Sequence, residues 1–184
     1  MWIVLAVLGV IWVAFFQFVR SRDGGSGRPS LHTPAGRFEA AFDWPLKARD
    51  GRDAALADFR GKAIFLNIWA TWCPPCVAEL PAIERLAANP KLKDVAFLAV
   101  STEDLATIQG FARSRDLKVP VYAADPEGVP PIFVTDAIPA TFLIAPDGRI
   151  ATAQLGAAEW DDPAVVDYLA RLTSESAAGT RAGP

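Results

Sequence analysis

Cys73-Pro-Pro-Cys76 is the stretch of this chain whose residue types and spacing suit covalent chemistry. Two cysteines separated by two residues can close a small disulfide ring, and the reduced pair offers one thiol to attack and one to resolve. Pro74 suits the first position of a helix, where a backbone N–H would lack a partner anyway. Cys73 is then the N-cap residue, at the end of the helix whose partial positive charge favours thiolate over thiol. Cys76 falls one turn inside, where packing should cover it. Cys73 is therefore expected to be the exposed attacking thiolate, with Cys76 resolving the mixed disulfide. Neither Pro74 nor Pro75 has an N–H to give, so only the Cys76 N–H and the helix dipole remain to stabilise the Cys73 thiolate. A moderately lowered thiol pKa follows, and with it a reductant rather than a strong oxidant.

Other chemistries compete for the same pair. A purely structural disulfide would gain little, because closing so short a loop removes little chain entropy. Two thiolates alone could hold copper(I). A peroxidatic cysteine leaves the second thiol unexplained. Glu79 lies three residues past Cys76 on the same helix face, where it is either a proton carrier for the inner thiol or a solvated surface carboxylate. Trp69 reads as core, and Trp72 as a rim residue placed to shield the sulfurs. Two cysteines rule out a four-thiolate zinc site, and the single histidine, His32, rules out a histidine cluster. No metal ligand set is expected.

A strand must deliver the pair and a helix must follow it. Ala63 to Ala70 (AIFLNIWA) is a short apolar run of strand composition, with a helix expected from Pro74 to about Ala88. Further strands are expected at Val95 to Val100, Val119 to Ala123, Thr141 to Ala145 and Arg149 to Gln154, the last two joined at Pro146-Asp147-Gly148. Ser101 with Asp104 reads as a capping pair opening a helix to about Arg115, and Asp161-Asp162-Pro163 opens a last helix ending at Leu172. Lys47 to Asp53 holds an Asp-Gly turn and reads as a hairpin. Strands that are apolar throughout need a sheet covered on both faces. The fold class is α/β with a mixed sheet.

The chain has 184 residues, is 52% hydrophobic and 21% charged, and carries a net charge of -3. Those figures exclude a disordered chain and give no basic surface for nucleic acid. Residues 1–19 hold no charged side chain, and at about 1.5 Å per helical residue they span about 28 Å, close to a bilayer's hydrocarbon core. They read as an uncleaved transmembrane signal anchor. Residues 20–36 read as a flexible tether, 37–172 as the folded domain and 173–184 as a disordered tail. Arg20 and Arg22, following the apolar run, would by themselves keep the domain in the cytoplasm. The thiol chemistry points to the other side, and that is the expectation adopted.

Asn67-Ile-Trp-Ala-Thr-Trp-Cys-Pro-Pro-Cys-Val-Ala-Glu-Leu-Pro, followed by Ile138-Pro139-Ala-Thr-Phe-Leu-Ile-Ala-Pro-Asp-Gly, resembles the TlpA/ResA-type family of membrane-anchored, thioredoxin-like thiol–disulfide oxidoreductases. The resemblance implies a thioredoxin fold with an N-terminal β-hairpin extension, and a bacterial inner-membrane protein with its domain on the periplasmic or extracytoplasmic side. It implies Cys73, Cys76 and Glu79 as the catalytic set, and Pro139 as a cis-proline facing the sulfurs. Trp72, Pro74, Pro75, Ile138 and Pro139 would contact substrate, with the Ile138 backbone pairing with an extended segment. The implied partners are a disulfide-containing protein and a membrane dithiol electron donor. No cofactor is implied beyond the redox-active disulfide. The family serves cytochrome c maturation or copper-centre assembly; a copper(I)-binding thiol chaperone without redox turnover is the alternative. Asn67 departs from cytoplasmic thioredoxins, which carry a buried aspartate there, and this leaves Glu79 as the proton acceptor. Residues 127–135 (EGVPPIFVT) also depart, because Pro130-Pro131 forbids a helix interior.

Overall fold

The computed structural model describes residues 27–31 and 38–179. The expected anchor, Arg20, Arg22 and His32 lie outside the described residues. Seven strands form one sheet: β1 (Pro45–Ala48), β2 (Asp53–Ala55), β3 (Ile64–Ile68), β4 (Ala96–Ser101), β5 (Val121–Ala123), β6 (Ala140–Ile144) and β7 (Ile150–Leu155), in the order β2-β1-β5-β4-β3-β6-β7. β3 pairs parallel with β4 and antiparallel with β6, so the sheet is mixed and β3 runs through its interior. Among the described residues, three α-helices complete the fold: α1 (Pro74–Ala87), α2 (Leu105–Ser114) and α3 (Pro163–Gly179). This is the expected thioredoxin-like α/β arrangement, and the hairpin β1–β2 joins the sheet through β5.

Side chains alternate across a strand, and in β3 that alternation places the site. Ile64, Leu66 and Ile68 pack into one core with Trp44, Leu56, Phe133 and Phe142. Phe65 and Trp69 pack into the other, with Leu80 and Ile83 of α1 and Val165 and Leu169 of α3. Asn67 shares their parity. One polar residue in an otherwise apolar strand is thereby aimed at α1.

Several expectations are corrected in detail. Ser101 ends β4, and Asp104 alone caps α2, its carboxylate accepting from the Thr107 N–H at 2.9 Å. β5 begins at Val121, because the N–H groups of Lys118 and Val119 go to the Glu84 carboxylate and not to the ladder. α3 runs on to Gly179, beyond the expected stop at Leu172. Within the expected tether, Gly27 bridges to Ala158, Arg28 pairs with Asp162 at 2.8 Å, Pro29 is buried, and the Ser30 N–H donates to Gln154. Residues 27–31 are thus laid against the domain.

The proline-rich stretch 127–135 makes two short 3-10 turns, Pro126–Gly128 and Pro131–Phe133, each with a proline at its start, where no N–H is needed. Phe133 ties the stretch to the core. It stacks on Trp44 at 5.3 Å between centroids and meets Phe142 edge-on at 5.1 Å. Phe133→Ala leaves that space unfilled and is expected to cost about 3–5 kcal/mol in urea unfolding. A loss below about 1 kcal/mol would mean that the loop does not depend on this ring.

Candidate functional site

Cys73 and Cys76 form a disulfide, with an S–S distance of 2.08 Å and Cα atoms 5.3 Å apart. Cys73 is the N-cap of α1, and its sulfur accepts from the Cys76 N–H at 3.3 Å. With Pro74 and Pro75 next in the chain, this is the one N–H contact to that sulfur among the described residues. On its other side the sulfur stands 3.8 Å from the Ile138 carbonyl oxygen, whose negative end disfavours a thiolate. The two contacts oppose one another.

The exposure of Cys73 corrects the sequence reading. The residue is 4% exposed and Cys76 fully buried, so the expected order holds but the attacking cysteine is nearly covered. The reason is local. Bonded to Cys76, the Cys73 side chain folds inward and joins the core cluster that contains Trp69 and Leu80. Trp72, expected to shield the sulfurs, is 71% exposed. Pro74 and Pro75 are exposed beside it. The Ile138-Pro139 peptide is cis, as the resemblance implied. Pro139 is buried, and its carbonyl accepts from the Gly156 N–H at 2.9 Å, which ties the loop to the end of β7. The five residues expected at the substrate surface thus divide into an exposed set (Trp72, Pro74, Pro75), a half-buried Ile138 and a buried Pro139.

Glu79 is buried, on the α1 face that carries Cys76. Its carboxylate accepts from Asn67 Nδ2 at 2.8 Å, from the Ala158 N–H at 3.1 Å and from Trp160 Nε1 at 2.8 Å. Burial pushes its pKa up from the ordinary carboxylate value, while these three donors pull the other way and only partly offset the desolvation. Among the described residues no cation forms an ion pair with it. A buried carboxyl with raised proton affinity, on the helix face that carries Cys76, is chemically able to take up and return a proton.

Asn67 also donates to Thr141 Oγ1 at 2.9 Å, which leaves its buried Oδ1 without a donor. An orphan acceptor of this kind costs about 1–3 kcal/mol. The amide is held in this sense because its Nδ2 donates to both Glu79 Oε1 and Thr141 Oγ1. The sequence reading named Asn67 and Glu79 but missed Thr141, Ala158 and Trp160. Thr141 was within reach, since it is the direct antiparallel partner of Asn67. Ala158 and Trp160 sit in a loop without a motif. The one available signal was a tryptophan just ahead of a helix start.

The Redoxin family matches residues 32–170. ResA, a thiol–disulfide oxidoreductase of Bacillus thuringiensis subsp. konkukian, is 33% identical over 126 residues, covering 67% of this chain and 71% of its own. ResA of Oceanobacillus iheyensis is 35% identical over 128 residues, covering 67% of each. Among solved structures, a putative thiol–disulfide oxidoreductase of Bacteroides vulgatus superposes with a TM-score of 0.61 at 30% identity, covering 70% of this chain and 93% of that one.

The raised pKa of Glu79 predicts a pH dependence of stability. The folded state holds this proton more tightly than the unfolded chain does. The contribution is therefore full below the ordinary carboxylate range and is lost as pH rises through the raised value. The slope is at most about 1.4 kcal/mol per pH unit in that window. Glu79→Gln should remove this component from urea midpoints measured across pH, with Asn67 turning its amide to accept from the new one. Parallel stability–pH curves for the two proteins would contradict the assignment.

Proposed function

The chain belongs to the Redoxin family and is a thiol–disulfide oxidoreductase of the ResA type, and from that premise we propose that it is a membrane-tethered reductant of disulfides in cell-envelope proteins. The observation that carries the direction is the single N–H donor at the Cys73 sulfur, opposed by the Ile138 carbonyl. A thiolate so weakly supported favours oxidation of the dithiol, and hence donation of electrons.

In the proposed cycle the Cys73 thiolate attacks one sulfur of the substrate disulfide, forming a mixed disulfide and expelling the other substrate sulfur as a thiolate. Cys76 gives its proton to the Glu79 carboxylate and attacks the Cys73 sulfur. The Cys73–Cys76 bond forms, and the second substrate sulfur leaves. Both leaving thiolates are protonated, one of them by the proton passed through Glu79. A membrane dithiol donor then supplies two electrons and two protons to restore the pair. Substrate lies across Trp72, Pro74 and Pro75, with its backbone beside Ile138. The cytochrome c maturation and copper-centre assembly pathways both supply substrates of this class.

Residues 1–19 supply the membrane anchor in this reading, with the domain on the extracytoplasmic side. Among the described residues no helix is long and apolar enough to cross a membrane. A reporter fused after Pro184 that is active only outside the cytoplasm supports this placement, and one active only inside overturns it.

Insulin reduction should be abolished by Cys73→Ser, whereas Cys76→Ser should accumulate a mixed disulfide through Cys73. Mass spectrometry of that adduct from envelope extracts identifies the partner. Turnover that survives Cys73→Ser would remove Cys73 as the nucleophile.

A further inference from the structure

Thr71 stands two residues ahead of Cys73, at most about 7 Å of chain away, in the turn that carries the strand into α1. The same turn is closed by the Cys73 N–H donating to the Ala70 carbonyl at 3.2 Å. Its second hold comes from just beyond the end of β4. The Thr71 N–H donates to Glu103 Oε2 at 2.7 Å, and the Thr71 hydroxyl donates to Glu103 Oε1 at 2.7 Å. Glu103 is itself fixed from behind. Ser101 Oγ donates to Oε2 at 3.0 Å, and the Glu103 N–H donates back to Ser101 Oγ at 3.1 Å. Both carboxylate oxygens are thus spent on one residue of the disulfide turn, and a buried serine locks the carboxylate in place.

We propose that Glu103 is a positioning residue for thiol–disulfide exchange, holding the turn ahead of Cys73 through Thr71 and setting a negative charge behind the Cys73 sulfur. The proposal rests on the exchange role given to Cys73. Among the described residues no lysine or arginine forms an ion pair with Glu103. The groove it lines also holds Asp53, Asp104 and Asp125, and the one cation there, Lys47, pairs with Asp53. On the inner side, Glu79 is a further titratable group, buried on the α1 face that carries Cys76. A fixed negative charge on the turn opposes the helix dipole, which raises the proton affinity of the Cys73 thiol and keeps the dithiol reducing.

Glu103→Gln separates charge from geometry. Its carbonyl oxygen can still accept from the Thr71 N–H, and its amide can donate to the Thr71 hydroxyl. Glu103→Ala removes both. The readout is the pH profile of iodoacetamide alkylation of Cys73 in the full chain carrying Cys76→Ser, so that one thiol reports and no substrate exchange is needed. Glu103→Gln should shift the profile to lower pH and speed alkylation about two- to fivefold below the thiol pKa. Hydrogen exchange at the Thr71 amide should stay slow in Glu103→Gln and become fast in Glu103→Ala. An alkylation profile that Glu103→Gln leaves unmoved, or a Thr71 amide still protected in Glu103→Ala, would overturn the proposal. Failure of the wild-type protein to reduce any disulfide would instead overturn the exchange role itself, and the alkylation result distinguishes the two.

Discussion

One hydrogen bond, from the Cys76 N–H to the Cys73 sulfur, sets the character of this site. It exists because α1 begins at Pro74, which forces Cys73 into the N-cap position. It stands alone because Pro74 and Pro75 have no N–H to add. A helix N-terminus normally presents several orphan donors to an anion. Here the sequence keeps the dipole and strips the donors, so the thiolate gains modestly from its position. The Ile138 carbonyl oxygen, 3.8 Å from the sulfur, reduces that gain further.

The inner half of the site follows a different logic. Cys76 is fully buried in the core. Glu79 occupies the same interior and is held by donors from three separate parts of the chain: Asn67 in β3, the Ala158 backbone and Trp160. Those donors make burial of a carboxylate tolerable without suppressing its proton affinity, because burial remains the larger influence. Residues 27–31 reach the same region, since Gly27 bridges to Ala158 and accepts from the Glu159 N–H at 3.2 Å. The chain that enters the domain is therefore in contact with the loop that steadies Glu79.

Much of this was legible in the residues. The cysteine spacing and the N-terminal prolines of α1 placed both sulfurs, and the apolar run around Ile64 to Ile68 located the strand ahead of them. The Asp-Gly pairs placed both hairpin turns. What escaped was set by tertiary contacts. The loss of Val119 from β5 depends on where the Glu84 carboxylate falls, which no local pattern encodes. The near-burial of Cys73 depends on the inward turn of its own side chain against Trp69 and Leu80. Trp160 and Glu103 lie far along the chain from the residues they hold, and neither belongs to a periodic or motif signal.

The claim that a single N–H leaves the Cys73 thiolate weakly stabilised, and the pair therefore reducing, is tested most directly by the redox potential of the Cys73–Cys76 couple. Equilibration of the full chain in dithiol–disulfide buffers, read by the alkylated fraction, gives that number. The account predicts a value near the thioredoxin end of the scale, about -270 mV. A value near the strong oxidants, about -120 mV, would contradict it.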